Sequence, residues 1–259
     1  MNKMKTLITI ALVCFFVTNV NAQVKKPAVK PASPIVRKTT TQKTVVKKPV
    51  IKKTVPVANA PKQIRVPGTR VKVTTDSGVM VIRLYDKTPL HRANFIKLTN
   101  EHFFDSLLFH RVISEFMIQG GDPQSKYAQA DQMLGSGDVG YTIPAEFDTN
   151  FIHKKGALAA ARTNNPAKAS SGCQFYIVQG KKYTDTDIKN MEMMKGRKYS
   201  AAQKNAYKTI GGTPQLDMEY TVFGEVESGL DVIDKIASVQ KGNADRPVGN
   251  VHMYIEVIK

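Results

Sequence analysis

Alternation of apolar and polar residues begins at about residue 68 and organises the rest of the chain. Val71-Lys-Val-Thr-Thr75 alternates, Asp76-Ser-Gly78 reads as a turn, and Val79-Met-Val-Ile-Arg-Leu-Tyr85 follows, which predicts a β-hairpin with a short loop. Thr88-Pro89 starts a helix, with Thr as N-cap and Pro at the first helical position. Leu90, Ala93, Phe95, Ile96 and Leu98 give that helix an apolar stripe. After Phe103 come short apolar runs broken by Gly and Pro, the pattern of a β domain. Between 181 and 210 the pattern turns polar and helix-prone. Ile188, Met191 and Met194 stand at helical spacing and Ser200-Ala-Ala-Gln203 reads as a capping box, so two short helices are expected. Strand character returns at Tyr220–Val226. A helix at about 229–238 carries Leu230, Ile233, Ile236 and Ala237 on one face, and Val251–Ile258 alternates as a final strand. No internal repeat is visible.

The N-terminal quarter reads differently. Lys3 and Lys5 precede an apolar run, Leu7–Val17, that is shorter than the ~20 residues needed to span a bilayer. Val20-Asn-Ala22 then offers a small-residue cleavage site, so 1–22 reads as a signal peptide and the protein as exported, periplasmic or secreted. An uncleaved anchor is the alternative; a lipoprotein at Cys14 fits less well, because Val13 before it is not small. Residues 23–66 are rich in Lys, Pro, Val and Thr and contain neither an aromatic nor an acid. Such a segment cannot bury enough apolar area to offset its ordering entropy and reads as a disordered basic linker. It reads first as a solvated spacer, with adhesion to an anionic envelope surface as the sharper alternative.

Charge follows the same division. The net charge of +17 suggests nucleic acid, but residues 1–75 hold 16 of the 38 Lys and Arg and no acid. That leaves 22 basic residues against 21 acidic ones over 76–259. The basicity belongs to the N-terminal segment, where no aromatic interleaves the lysines, and a nucleic-acid role is not expected. Removal of the signal would leave Cys173 alone, without a disulfide partner, as a small buried hydrophobe.

Several chemical signals fail on context. Gly135-Ser-Gly137-Asp-Val-Gly140 matches a dinucleotide fingerprint, but no strand precedes it and Tyr141-Thr-Ile-Pro144 cannot open a helix, so it reads as a loop. The five histidines lack metal-ligand spacing, and Asp185-Thr-Asp187 lacks the Gly and distal Glu of a calcium loop. One stretch stands out: Phe109-His-Arg-Val-Ile-Ser-Glu-Phe-Met-Ile-Gln-Gly-Gly-Asp-Pro123. If Arg111–Ile113 and Phe116–Gln119 are adjacent strands, Arg111, Phe116, Met117 and Gln119 share a face. That describes an apolar groove floor under one guanidinium, or a core hairpin with Arg111 at its rim.

This stretch resembles the central signature of the cyclophilins nearly residue for residue. The resemblance continues through Tyr141–Phe147, Gly156–Arg162, Ser171–Ile177 and Leu216–Gly224, and covers about residues 70–258 in the expected order. It implies a mainly β fold for 67–259: a closed eight-stranded antiparallel β-barrel capped by two α-helices, at 88–101 and 229–238, with 181–210 as a helical insertion. Gly156–Ala161, helix-prone by propensity, becomes a strand edging the groove. The implied activity is peptidyl-prolyl cis-trans isomerisation of Xaa-Pro segments in unfolded or exported proteins, by a monomer, with no cofactor and no metal. A proline-peptide binding module or holdase with incidental catalysis is the alternative. Carried over by motif, Arg111 would donate to the prolyl nitrogen and Gln119 would hold Arg111 or the substrate carbonyl. Phe116, Met117, Phe175 and Leu216 would form the proline pocket, with Tyr220 at its wall. Ala161, Arg162 and Thr163, with Gln174, would align the residues before proline, and His110 would lie beside the site. Gln215 stands where some members carry a groove Trp, so tight cyclosporin binding is not implied.

Overall fold

The computed structural model describes residues 68–258. The expected signal peptide, 1–22, and linker, 23–66, lie outside the described residues. The hairpin forms as β1 (Arg70–Thr75) and β2 (Gly78–Leu84), with Thr75 paired to Gly78 across a two-residue turn. Val71, Val73, Met80, Ile82 and Leu84 alternate into a core that excludes solvent. Helix α1 (Pro89–Asn100) follows, then β3 (Leu107–Leu108), β4 (Arg111–Ile113), β5 (Met117–Gly120), β6 (Thr142–Ile143), β7 (Ala157–Ala160), β8 (Ser170–Ser171) and β9 (Phe175–Val178). The excursion contains α2 (Asp185–Lys195) and α3 (Ala201–Thr209); β10 (Val222–Ser228), α4 (Leu230–Ala237) and β11 (His252–Ile258) complete the chain.

The strands build one antiparallel sheet in the order β3-β11-β1-β2-β10-β7-β9-β5-β4, and β6 pairs with β8 separately. The expected eight-stranded closed ladder with two helices is therefore replaced by nine strands, open between β3 and β4, with four α-helices among the described residues. The physical reason lies in one run of chain. β3 pairs with β11 and β4 with β5, and only Phe109 and His110 separate them. The three Cα–Cα steps from Leu108 to Arg111 span at most about 11 Å, so the two ends of the sheet are drawn together and the sheet must curl. The run interrupts its ladder at Phe109, whose N–H bonds to Val251 and whose ring enters the core. Phe95, Leu98, Phe104 and Phe175 fill the interior with Ile233 and Ile236 of α4.

Helix α1 departs from its expected face. Leu90 is exposed, while His91, Phe95, Leu98 and Thr99 are buried. Thr88 occupies the N-cap position, but its hydroxyl turns back to the Tyr85 carbonyl. The cap comes instead from Glu146, whose carboxylate accepts the N–H groups of Leu90 and His91, both at 2.9 Å, and bonds His91 Nδ1 at 2.6 Å. In the excursion both helices carry capping boxes, Thr184/Asp187 and the expected Ser200/Gln203. Ile188 is buried with Ile152, Tyr199 and Tyr207, whereas Met194 faces solvent. The base of the excursion is a tight backbone crossing: a Cβ on Gly180 would stand 2.3 Å from the Gly212 carbonyl oxygen, and one on Gly212 would stand 2.3 Å from that of His153. Glycine is required at both positions.

Candidate active site

Strands β4 and β5 pair so that Arg111 lies opposite Gln119 and Ile113 opposite Met117. Gln119 in turn lies opposite Tyr176, and Tyr176 opposite Ala159. Directly paired residues share a sheet face, so Arg111, Gln119, Tyr176 and Ala159 form one row on the outer face. Met117 and Val178 form a second row beside it. An apolar cluster covers this face, with Phe116, Leu216 and Tyr220 at its partly exposed rim.

Three cavities meet at Gln119. The smallest, about 140 Å³, is lined by Arg111, Phe116, Met117, Gln119, Ala161, Arg162, Tyr176, Leu216 and Tyr220. A second, about 580 Å³, is bounded by Gln119, Ala161, Arg162, Thr163 and Gln174 on one side and by the Gly135–Gly140 loop on the other. A third, about 750 Å³, lies between His110, Arg111, the 130–136 loop and residues 242–248. The structure thus brings together Arg111, Phe116, Met117, Gln119, Ala161, Arg162, Leu216 and Tyr220 around the first cavity. Thr163 and Gln174 stand in the second and His110 in the third.

Phe175 is the exception. Its ring points into the interior, edge-on to Phe95, Phe104 and Phe109, and touches none of the three cavities. The pocket wall assigned to it belongs to Tyr176, one residue on, because successive strand side chains point to opposite faces. Sequence reasoning also missed the Gly135–Gly140 loop as a lining element. The loop is held by buried Asp122, which accepts the Gly135 N–H at 2.5 Å.

The polar groups form a directed chain. Arg111 Nη1 donates to Gln119 Oε1 at 3.4 Å, Gln119 Nε2 donates to Gln174 Oε1 at 3.0 Å, and Gln174 Nε2 donates to the carbonyls of Gly135 and Gly137 at 3.0 and 2.7 Å. A guanidinium only donates, so this chain fixes the orientation of both amides. Arg162 is engaged elsewhere: it stacks 4.7 Å from the centre of the Tyr220 ring, and its Nε donates to the Glu219 carbonyl. Arg111 is half exposed, its Nε 3.8 Å from Asp245, beyond hydrogen-bond reach. Burial raises the Tyr176 phenol well above its ordinary pKa, so it remains a hydroxyl donor. Burial likewise pushes the Cys173 thiol up to about 11, which keeps it protonated and inert. The arrangement offers a permanent cation at the lip of a small apolar cavity.

A family profile described as cyclophilin type peptidyl-prolyl cis-trans isomerase/CLD matches residues 70–257. The chain is 34% identical over 191 residues to a Staphylococcus haemolyticus protein that carries the provisional name peptidyl-prolyl cis-trans isomerase; the match covers 73% of this chain and 91% of that one. It is 36% identical over 187 residues to a Streptococcus pyogenes protein provisionally named a bifunctional phosphatase/peptidyl-prolyl cis-trans isomerase, covering 71% of this chain and 37% of that protein's length. Among solved structures, a cyclophilin type peptidyl-prolyl cis-trans isomerase of Cryptosporidium parvum superposes with a TM-score of 0.56 at 20% identity, covering 74% of this chain and 98% of that one. A crystal structure of the same protein in the presence of the dipeptide Ala-Pro gives 0.55 at 20% identity, over 73% and 99%.

Proposed function

The chain belongs to the cyclophilin-type peptidyl-prolyl cis-trans isomerase family, and we propose that Arg111 promotes rotation about Xaa-Pro bonds whose proline ring occupies the cavity beside Met117, Tyr176 and Leu216. The observation that carries this reading is the directed Arg111–Gln119–Gln174 chain at the lip of an apolar cavity of about 140 Å³. Amide resonance sets a rotational barrier of roughly 18–20 kcal/mol, and uncatalysed isomerisation takes on the order of 10–100 s. No bond breaks, so the chemistry calls for no nucleophile, metal or cofactor. The protein must bind the twisted amide better than either planar form. A gain of about five decades needs roughly 7 kcal/mol of such differential binding.

As the amide twists, the nitrogen lone pair leaves conjugation and becomes an acceptor. A guanidinium held beside that nitrogen gains a hydrogen bond only in the twisted state, which is electrostatic catalysis. Gln119 restrains Arg111 from one side, so the fork of donors is aimed before substrate arrives. The cavity flanked by Ala161, Arg162, Thr163 and Gln174 takes the residues before proline as an added strand. The reading of 1–22 as a signal supports exported polypeptides as clients, and the basic stretch 23–66 supports association with an anionic envelope surface.

The test is isomerisation of a short Xaa-Pro peptide by the protein and by Arg111→Ala. Rapid turnover that falls at least about tenfold in the variant is the expected result. No rate above background from a folded wild-type protein would defeat the enzymatic reading and favour a proline-peptide binding module or holdase.

A further inference from the structure

Asp217 directly follows Leu216, a wall of the ring cavity, and has no exposed surface. Its oxygens are fully engaged. Oδ1 accepts the backbone N–H of His153 and, from the same residue, Nδ1–H, both at 2.8 Å. Oδ2 accepts the hydroxyls of Tyr199 at 2.8 Å and Tyr207 at 2.6 Å. Arg197 Nη1 stands 3.9 Å from Oδ2 and contributes charge without a hydrogen bond. Burial alone would raise the Asp217 pKa, but the hydrogen bonds and charge of His153, with the Tyr207 hydroxyl, hold it below the usual carboxylate value. A carboxylate only accepts, so His153 Nδ1 carries a proton. Nε2 lies 3.0 Å from the Tyr176 hydroxyl, which donates to it in the neutral imidazole and accepts from it in the imidazolium, so the contact holds in either state.

One buried chain of hydrogen bonds therefore runs from Tyr199 and Tyr207 through Asp217 and His153 to Tyr176. Two walls of the ring cavity, Leu216 and Tyr176, are tied to a single carboxylate. Two of the four hydrogen bonds on that carboxylate come from the helical excursion at 181–210. A fully satisfied buried network has one preferred arrangement, and removing a donor frees its members to reorient.

We infer that the excursion positions the ring cavity: Tyr199 and Tyr207 are positioning residues that fix Leu216 and Tyr176 through Asp217 and His153. This rests on the reading of that cavity as the proline site. Losing either hydroxyl leaves Oδ2 with one hydroxyl donor, and the carboxylate can turn. His153 then loses its alignment and the Tyr176 ring its anchor. Small displacements at a site of this size are felt in substrate binding.

The test compares Tyr199→Phe and Tyr207→Phe in the full chain, both of which keep the ring packing. Lys208→Ala is the control; it removes the surface ion pair of the excursion with Asp185 and leaves the network intact. The KM for an Xaa-Pro peptide should rise on the order of fivefold in each Phe variant, the weight of one hydrogen bond, with kcat falling less and Lys208→Ala at the wild-type value. The ring resonances of Tyr176, identified with Tyr176→Phe, should shift in the two Phe variants and not in the control. Wild-type KM together with unmoved Tyr176 signals in folded variants would overturn the inference, since a purely stabilising role lowers the melting temperature and leaves both untouched. If Tyr207→Phe fails to fold, Tyr199→Phe alone decides. The resonance measurement needs no turnover. A wild-type protein without isomerase activity would sink the proposed function, while moved Tyr176 signals would still support the network.

Discussion

Lowering the pH from 7 to 5 should expose the contribution of His110. The residue directly precedes Arg111, is 3% exposed, and neither ring nitrogen has a hydrogen-bond partner among the described residues. Burial lowers its pKa; Asp122 and the nearby Leu108 backbone, which makes no well-formed hydrogen bond to the ring, pull it up, Arg111 and Arg246 push it down further, and the result is about 4. An imidazole in the unfolded chain titrates near 6.5. Below pH 6.5 the unfolded state therefore binds a proton that the folded state refuses until about pH 4. The stability linked to His110 is complete above the unfolded value and is lost as pH falls through this window. Integrating the linkage gives a loss of about 2 kcal/mol between pH 7 and pH 5, reaching about 3 kcal/mol near pH 4. The perturbation is His110→Phe, which keeps an aromatic ring and removes both unpartnered nitrogens; at pH 7 the variant should be as stable as wild type or more so. Urea unfolding at pH 7, 6 and 5 measures both proteins. His91, also lowered by burial against the opposing pull of Glu146, and the carboxylates titrate in both and cancel in the difference. The wild type should lose about 2 kcal/mol more than the variant on going from pH 7 to 5. Parallel losses in the two proteins would refute the assignment of a buried, unpartnered imidazole.

Two further outcomes follow from the fold. Glu146→Ala removes the acceptor for two N–H groups at the start of α1 and for His91 Nδ1; it should cost about 1–3 kcal/mol in urea unfolding, and Glu146→Gln less. Phe175→Leu should lower stability by about 1–3 kcal/mol through lost interior packing while leaving the peptide KM unchanged, whereas Tyr176→Leu should raise the KM; a Phe175 variant with raised KM and wild-type stability would return that ring to the pocket.

What the residue pattern revealed, and what it hid, divides along a physical line. Strand alternation in Val71–Tyr85 and Val251–Ile258 and the Ser200/Gln203 capping box are local devices, and the structure contains them where the pattern placed them. The cap of α1 is not local. Thr88 is the right residue type in the right place, yet the partner that satisfies Leu90 is Glu146, 56 positions away. That tertiary cap also turns the helix: His91 can be buried because Glu146 and Ser170 engage both its nitrogens, and Leu90 faces solvent as a consequence. Met194 illustrates the same limit. Its spacing matches Ile188 and Met191, but the excursion has a small core of its own, which Ile188, Tyr199 and Tyr207 already fill.

The site was legible as a set of motifs in order, and its one misplacement is a matter of strand alternation. Phe175 and Tyr176 are consecutive residues of β9, and side chains within a strand alternate, so only one of the two can face the groove. Tyr176 lies opposite Gln119 and faces the site with it, so Phe175 faces the interior. The register shows why this matters. Arg111, Gln119, Tyr176 and Ala159 stand opposite one another across four strands, β4, β5, β9 and β7. Arg111 supplies charge at one end of that row, and the Tyr176 ring forms a wall of the small cavity beside it. A phenylalanine there would fill the space equally well. The hydroxyl is what links that wall to His153, and so to the excursion.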